Sequence, residues 1–220
     1  LIGRNLPLHP NEALPIALQA THVLDYLHRQ DPPIVFRDLK PSNLMVSPQG
    51  RIRFIDFGIA RYHHPTSAKD TQELGTPGFC APEQYHGQST PLSDLYSLGV
   101  TLHFILTLQD PQAFHFQFPP VSAFQPVPPL LDQILARCLE LRPQDRYLSA
   151  TDMRQDLEIA LRQVPPRAPG STRTLAGPLF ELARHADRVP FSERRALLRF
   201  WRQWLRETFN PGVSRPAGHP

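Results

Sequence analysis

Phe36-Arg37-Asp38-Leu39-Lys40-Pro41-Ser42-Asn43 is the stretch on which the reading of this chain turns. It follows a short extended run, Ile34-Val35-Phe36, and precedes a pattern that reads as a β-hairpin. Leu44-Met45-Val46 and Arg51-Ile52-Arg53-Phe54-Ile55 flank Ser47-Pro48-Gln49-Gly50, a turn with Pro second and Gly fourth. Two tripeptides come after it in order, Asp56-Phe57-Gly58 directly behind the hairpin and Ala81-Pro82-Glu83 further on. Taken one at a time these residues are unremarkable: Asp38 caps a turn, Asn43 is a turn residue and Lys40 is a solvated surface lysine.

Outward from that stretch the pattern is largely helical. Residues 12–29 place Leu14, Ala17, Leu18, Val23, Leu24 and Leu27 on one helical face. Pro15 is tolerable there as a first-turn residue, and the helix should stop before Asp31-Pro32-Pro33. Residues 58–90 are rich in Gly, Pro, Ser and Thr and read as a long ordered loop, a kind usually functional or disordered in compact domains. Residues 92–108 are apolar nearly all round, the pattern of a helix at a domain centre, with Asp94 placed to cap its N-terminus. A Pro- and aromatic-rich connection follows, then a helix over 130–141. Ser149-Ala150-Thr151-Asp152 is a capping box for a last helix with Met153, Leu157, Ala160 and Leu161 inward.

The chain has 220 residues, 40% hydrophobic and 20% charged, which is enough to bury a core and excludes wholesale disorder. No run of eighteen apolar residues occurs; Leu95 to Leu108 is shorter and broken by Ser97, Thr101 and His103. Cys80 and Cys138 form neither a metal spacing nor a disulfide framework, which fits a reducing compartment and a cytoplasmic location. Residues 1–164 carry 13 basic and 16 acidic residues, whereas residues 165–220 carry 10 arginines against 4 acids. The excess positive charge therefore belongs to the tail. Two lysines, Lys40 and Lys69, survive beside 21 arginines, so each invites a chemical explanation. The expected organisation is a main domain over 1–164, a Pro-rich linker over 165–178, a basic helical tail over 179–209 and a disordered end over 210–220. Within the tail, Leu197, Leu198, Trp201, Trp204 and Leu205 gather on one helical side among arginines. That helix suits docking on the main domain or a neighbour, contact with a membrane surface, or a partner protein or nucleic acid.

With the three motifs in order and in context, the sequence resembles the eukaryotic-type (Hanks-type) Ser/Thr protein kinases, from about Glu12 to Leu161. The resemblance implies an α+β, protein-kinase-like fold, mainly the helical C-terminal lobe. It implies ATP and Mg²⁺ as cofactors and protein Ser/Thr hydroxyls as substrates, with no nucleic acid expected. By resemblance Asp38 is the catalytic base, Lys40 touches the γ-phosphate, and Asn43 and Asp56 are the magnesium ligands. Arg37 resembles the arginine that pairs with a phosphate on the activation segment, where Thr66, Ser67 and above all Thr71 are the candidate acceptors. Thr76 resembles the threonine that bonds the catalytic Asp and Lys. Glu83 and Arg146 resemble the buried ion pair bracing that segment, and Asp94 the aspartate that bonds the catalytic-loop backbone.

Two departures are visible. Phe36 stands where the family usually has His, a scaffold position beside the Asp-Phe-Gly turn. The glycine-rich loop, the strand lysine and its glutamate partner are not found in this stretch. Since the chain opens on Leu1, with Met45 and Met153 inside patterned segments, it reads as a fragment lacking the smaller lobe and inactive by itself. An alternative stands beside the enzyme reading: a non-catalytic pseudokinase or scaffold lobe that binds protein partners.

Overall fold

The computed structural model describes residues 7–47, 49–57, 60–62 and 75–166. Helix α1 spans Pro10–His28 and starts two residues earlier than the apolar pattern suggests, because His9 and Glu12 form a capping box. The His9 ring Nδ1 accepts from the Asn11 amide at 3.2 Å, and Glu12 Oε2 accepts from the His9 amide at 3.0 Å. Pro15 therefore lies inside the helix rather than in its first turn, and leaves the Asn11 carbonyl without its intrahelical donor. Asn11 is held instead through its side chain, whose Nδ2 donates to Pro165 O at 3.0 Å.

Beyond α1 come β1 (Ile34–Val35), β2 (Leu44–Val46), β3 (Ile52–Phe54) and β4 (Arg61–Tyr62). Strands β2 and β3 are the expected hairpin, registered Leu44 to Phe54, Met45 to Arg53 and Val46 to Ile52. Gly50 closes its turn at φ +74°, donating its amide to Ser47 O at 2.9 Å. Gln19 of α1 pins the hairpin, its Nε2 on Gly50 O at 2.8 Å and its Oε1 on the Ile52 amide at 3.1 Å. Strand β4 was not expected. It pairs antiparallel with β1, Ile34 to Tyr62 and Val35 to Arg61, inside what reads as loop. A two-residue strand shows no alternation to read.

Helix α2 (Pro91–Thr107) is the centre of the described residues: all of it except Pro91, Leu92 and Phe104 is buried. Its N-cap is Thr90, whose amide donates to Ser93 Oγ at 3.0 Å, so Asp94 lies one turn in and is not the cap. Helices α3 (Pro129–Cys138) and α4 (Ala150–Gln163) complete the layer, with α1 packed on α2 and α4, and α3 on α2 and α4. Gly99 permits the close approach of α2 to α3, because a Cβ there would lie 2.7 Å from Cys138 Cβ. Helix α3 ends before Leu141, since the carbonyls of Glu140 and Leu141 accept from Arg146 at 2.8 and 3.1 Å. Met153, Leu157 and Ala160 of α4 face the core, with Leu161 half-buried against it. Among the described residues no helix is long and apolar enough to cross a membrane. The linker past Pro166, the basic tail helix and the C-terminal end lie outside the described residues.

Candidate functional site

The chain leaves β1 into a turn fixed from below by α2. Asp94, with no exposure, accepts from the Phe36 amide through Oδ2 and from the Arg37 amide through Oδ1, each at 2.8 Å. His28, in the last turn of α1, reaches the same Oδ2 with its Nε2 at 2.9 Å. Arg37 is buried and takes φ +73°, a left-handed backbone that costs a side-chain-bearing residue about 1–2 kcal/mol. Phe36 is fully buried, its ring 4.9 Å from that of Phe54 and 4.8 Å from that of Phe57. An aromatic thus fills this scaffold position by packing on the Asp-Phe-Gly turn.

Asp38 emerges from that turn half-buried, with donors on both carboxylate oxygens. Oδ1 accepts from the Thr76 hydroxyl at 2.7 Å and the Thr76 amide at 3.0 Å. Oδ2 accepts from Asn43 Nδ2 and from Lys40 Nζ, both at 2.8 Å. Lys40 Nζ also donates to Thr76 Oγ1, closing a three-residue ring of Asp38, Lys40 and Thr76. Residues 38 positions apart in the chain thus define one geometry, and charge-assisted bonds make it stiffer than neutral ones would. Thr101 of α2 steadies the loop by donating to Leu39 O at 3.2 Å.

Asn43 ends a 3₁₀ turn, Pro41–Asn43, and its Nδ2 also donates to Asp38 O at 2.8 Å. Both amide donors are therefore turned toward Asp38, which leaves its Oδ1 as an oxygen acceptor. The Ile55 amide donates to Asn43 O at 2.9 Å, extending the hairpin ladder by one step. This places Asn43 and the exposed Asp56, at φ +62°, on the same end of the hairpin. An amide oxygen and a carboxylate are the hard donors a magnesium ion takes. Among the described residues no group of three His, Cys, Asp or Glu forms a separate metal cluster.

The segment after Thr76 borders a cleft of about 460 Å³ between Pro77, Gly78, Pro82, Tyr85, Pro111 and Phe116. Gly78, at φ +85°, lets the Pro111–Phe114 turn come close, since a Cβ would meet Gln112 Cγ at 2.8 Å. Glu83 and Arg146 form a bidentate buried pair at 2.7 and 2.9 Å. Arg146 further donates to the carbonyls of Leu92, Glu140 and Leu141 and stacks over Tyr96, 4.8 Å from the ring centre. Ser93 adds a 2.6 Å hydrogen bond to Glu83 Oε1. Burial, with the Asp38 charge second, pushes the Cys80 thiol up to about 12, and burial does the same to Cys138. Neither forms a disulfide.

The structure thus brings Asp38, Lys40, Asn43 and Thr76 together, sets Asp56 beside Asn43 along the hairpin, and joins Asp94 to the loop and Glu83 to Arg146. Thr66, Ser67 and Thr71 lie outside the described residues. Sequence reading missed His28 and Ser93. His28 occupies a terminal helix turn where a basic residue is common for the dipole alone, and Ser93 resembles an ordinary cap residue.

Comparison with known proteins places the sequence among protein kinases. The chain is 36% identical over 180 residues to the serine/threonine-protein kinase PknB of Mycobacterium leprae, covering 74% of this chain and 28% of that protein. It is 35% identical over 181 residues to PknB of Mycolicibacterium smegmatis, again covering 74% and 28%. To a probable serine/threonine-protein kinase of Streptomyces coelicolor it is 33% identical over 192 residues, 80% of this chain and 28% of that one. The chain therefore spans little more than a quarter of the length of these relatives. The protein kinase domain matches residues 1–156, which hold every site residue named above. With that match and the loop geometry behind it, the chain belongs to the protein kinase domain family.

Proposed function

We propose that the protein transfers the γ-phosphoryl group of ATP to Ser and Thr hydroxyls of protein substrates, and that the described residues are the larger, helical lobe of the enzyme. The single observation that carries the reading is the Asp38 carboxylate, held by Thr76, Asn43 and Lys40 at 2.7–3.0 Å. Phosphoryl transfer asks a protein for alignment and charge more than for covalent help. Asp38 orients the incoming hydroxyl and receives its proton. Lys40, a compact ammonium anchored by Asp38 and Thr76, stands ready for phosphate oxygens. Asn43 Oδ1 and Asp56 are the residues that would hold Mg²⁺, and ATP with its metal supplies the phosphoryl group and charge neutralisation when bound. The cleft beyond Thr76 receives the polypeptide that flanks the acceptor residue. Arg37, one residue from Asp38, completes the proposal as the receiver of a phosphate on Thr71.

The test is phosphate transfer from labelled ATP to a protein substrate by the full-length protein. Asp38→Asn keeps the shape and removes the proton acceptor, so the rate should fall about 10²–10⁴-fold with the protein still folded. An unchanged rate in that variant defeats the assignment.

A further inference from the structure

Arg37, the residue that leads into Asp38, is gripped from two sides, and only one grip comes from α2. Arg37 keeps its left-handed φ of +73°, a conformation that persists where the surroundings over-determine it. On the amide side the hold is Asp94 Oδ1, at 2.8 Å from the Arg37 nitrogen. On the carbonyl side it is Gln84, whose Nε2 donates to Arg37 O at 3.0 Å. Gln84 is 1% exposed, and its Oε1 accepts from the Ala81 amide at 2.9 Å. Both ends of its side-chain amide are therefore committed, one to its own segment and one to the catalytic loop. Gly75 makes the approach possible, because a Cβ there would stand 2.6 Å from Arg37 O. The footing of Gln84 is firm as well, since the preceding Glu83 is locked to Arg146 and Ser93.

We propose that Gln84 is a positioning residue, a strut that carries the placement of the 75–84 segment into the orientation of Asp38. The inference rests on the phosphoryl-transfer reading above. A residue that merely capped Ala81 would need Oε1 alone, whereas the Nε2 bond to Arg37 O reaches back 47 positions to the peptide before the base. Gln84→Glu separates the two bonds. The carboxylate still accepts from the Ala81 amide, but it cannot donate to Arg37 O and instead opposes it oxygen to oxygen. Gln84→Met fills a similar volume with neither bond.

The experiment compares both variants with wild type in the full-length protein, by steady-state kinetics and by amide hydrogen exchange at Asp38 and through α2. Ala160→Gly in α4 serves as a control that lowers stability away from the loop. The expected result is a kcat about 10- to 100-fold lower in Gln84→Glu with the KM for ATP unchanged, because a loss of alignment acts on the chemical step. Exchange at Asp38 should quicken while α2 stays protected. A wild-type kcat in Gln84→Glu, or a loss no larger than in Ala160→Gly, overturns the proposal. If wild type transfers no phosphate, the reading of function fails; unchanged exchange at Asp38 in both Gln84 variants then overturns the strut independently.

Discussion

Asp94 illustrates at the residue scale how this chain tolerates buried charge. A carboxylate with no exposure would ordinarily neutralise or be excluded. Here the amides of Phe36 and Arg37 and the His28 ring supply three donors, so the charge is satisfied and in return fixes the left-handed turn before Asp38. At the two cysteines burial outweighs the weak thiol bonds, Cys80 Sγ to Thr76 O at 2.9 Å and Cys138 Sγ to Met153 Sδ at 3.7 Å. Their thiols sit at about 12, so at neutral pH almost no thiolate is present to react. Neither Cys80 nor Cys138 should be alkylated by iodoacetamide in the native protein at pH 7.5, and both should react once urea unfolds it. Mass spectrometry of the labelled protein decides this, and rapid native labelling of Cys80 would show that its segment opens.

At the scale of elements, the Pro82–His86 turn is fastened to the start of α2 and to the end of α3 through one guanidinium. Arg146 is among the largest fully buried side chains, and its fork meets Glu83 as well as three carbonyls. A pair of this kind adds little over a well-packed apolar substitute, but losing one partner strands the other. Arg146→Met should therefore cost about 3–5 kcal/mol in urea unfolding, and adding Glu83→Gln should recover part of that loss. A cost below about 1 kcal/mol would mean that Glu83 finds solvent when its partner goes.

Across the whole molecule, the connection between α2 and α3 is clasped at His103. The ring is 1% exposed, bonds Pro119 O through Nε2 at 2.9 Å, and packs against Phe114, Phe118 and Phe124. Burial lowers its pKa below the ordinary 6.5, with the Pro119 carbonyl and Asp132 partly opposing the shift. The unfolded chain then takes up this proton first as pH falls. The contribution of His103 to stability is complete above about pH 6.5 and is lost progressively below it. Urea midpoints measured from pH 8 to pH 5 should decline, with a shallower slope in His103→Gln; equal slopes would remove His103 as the cause.

Much of the site was legible because its signals are local. The hairpin turn announced itself through Pro48 and Gly50, the central helix through an apolar run, and the last helix through Ser149 and Asp152. Asp38, Lys40, Asn43 and Asp56 stood out through motif and order. What stayed hidden depends on partners far away in the chain. Strand β4 takes its identity from β1 about 27 positions earlier. Asp94 by itself read as a cap, because a carboxylate near a helix start usually is one; its bonds to the Phe36 and Arg37 amides were expected only through the family resemblance. Gln84 and His28 belong to residue types with no fixed preference, so nothing in their neighbourhood marks them. The amino-acid order thus determined which elements form and which chemistry is present, since both follow from contacts a few residues apart. The resemblance named Asp94 and Thr76 as partners of the loop, but the tertiary structure decided how it is aimed and added Gln84, since these bonds close long stretches of chain that only the packed core can bring together.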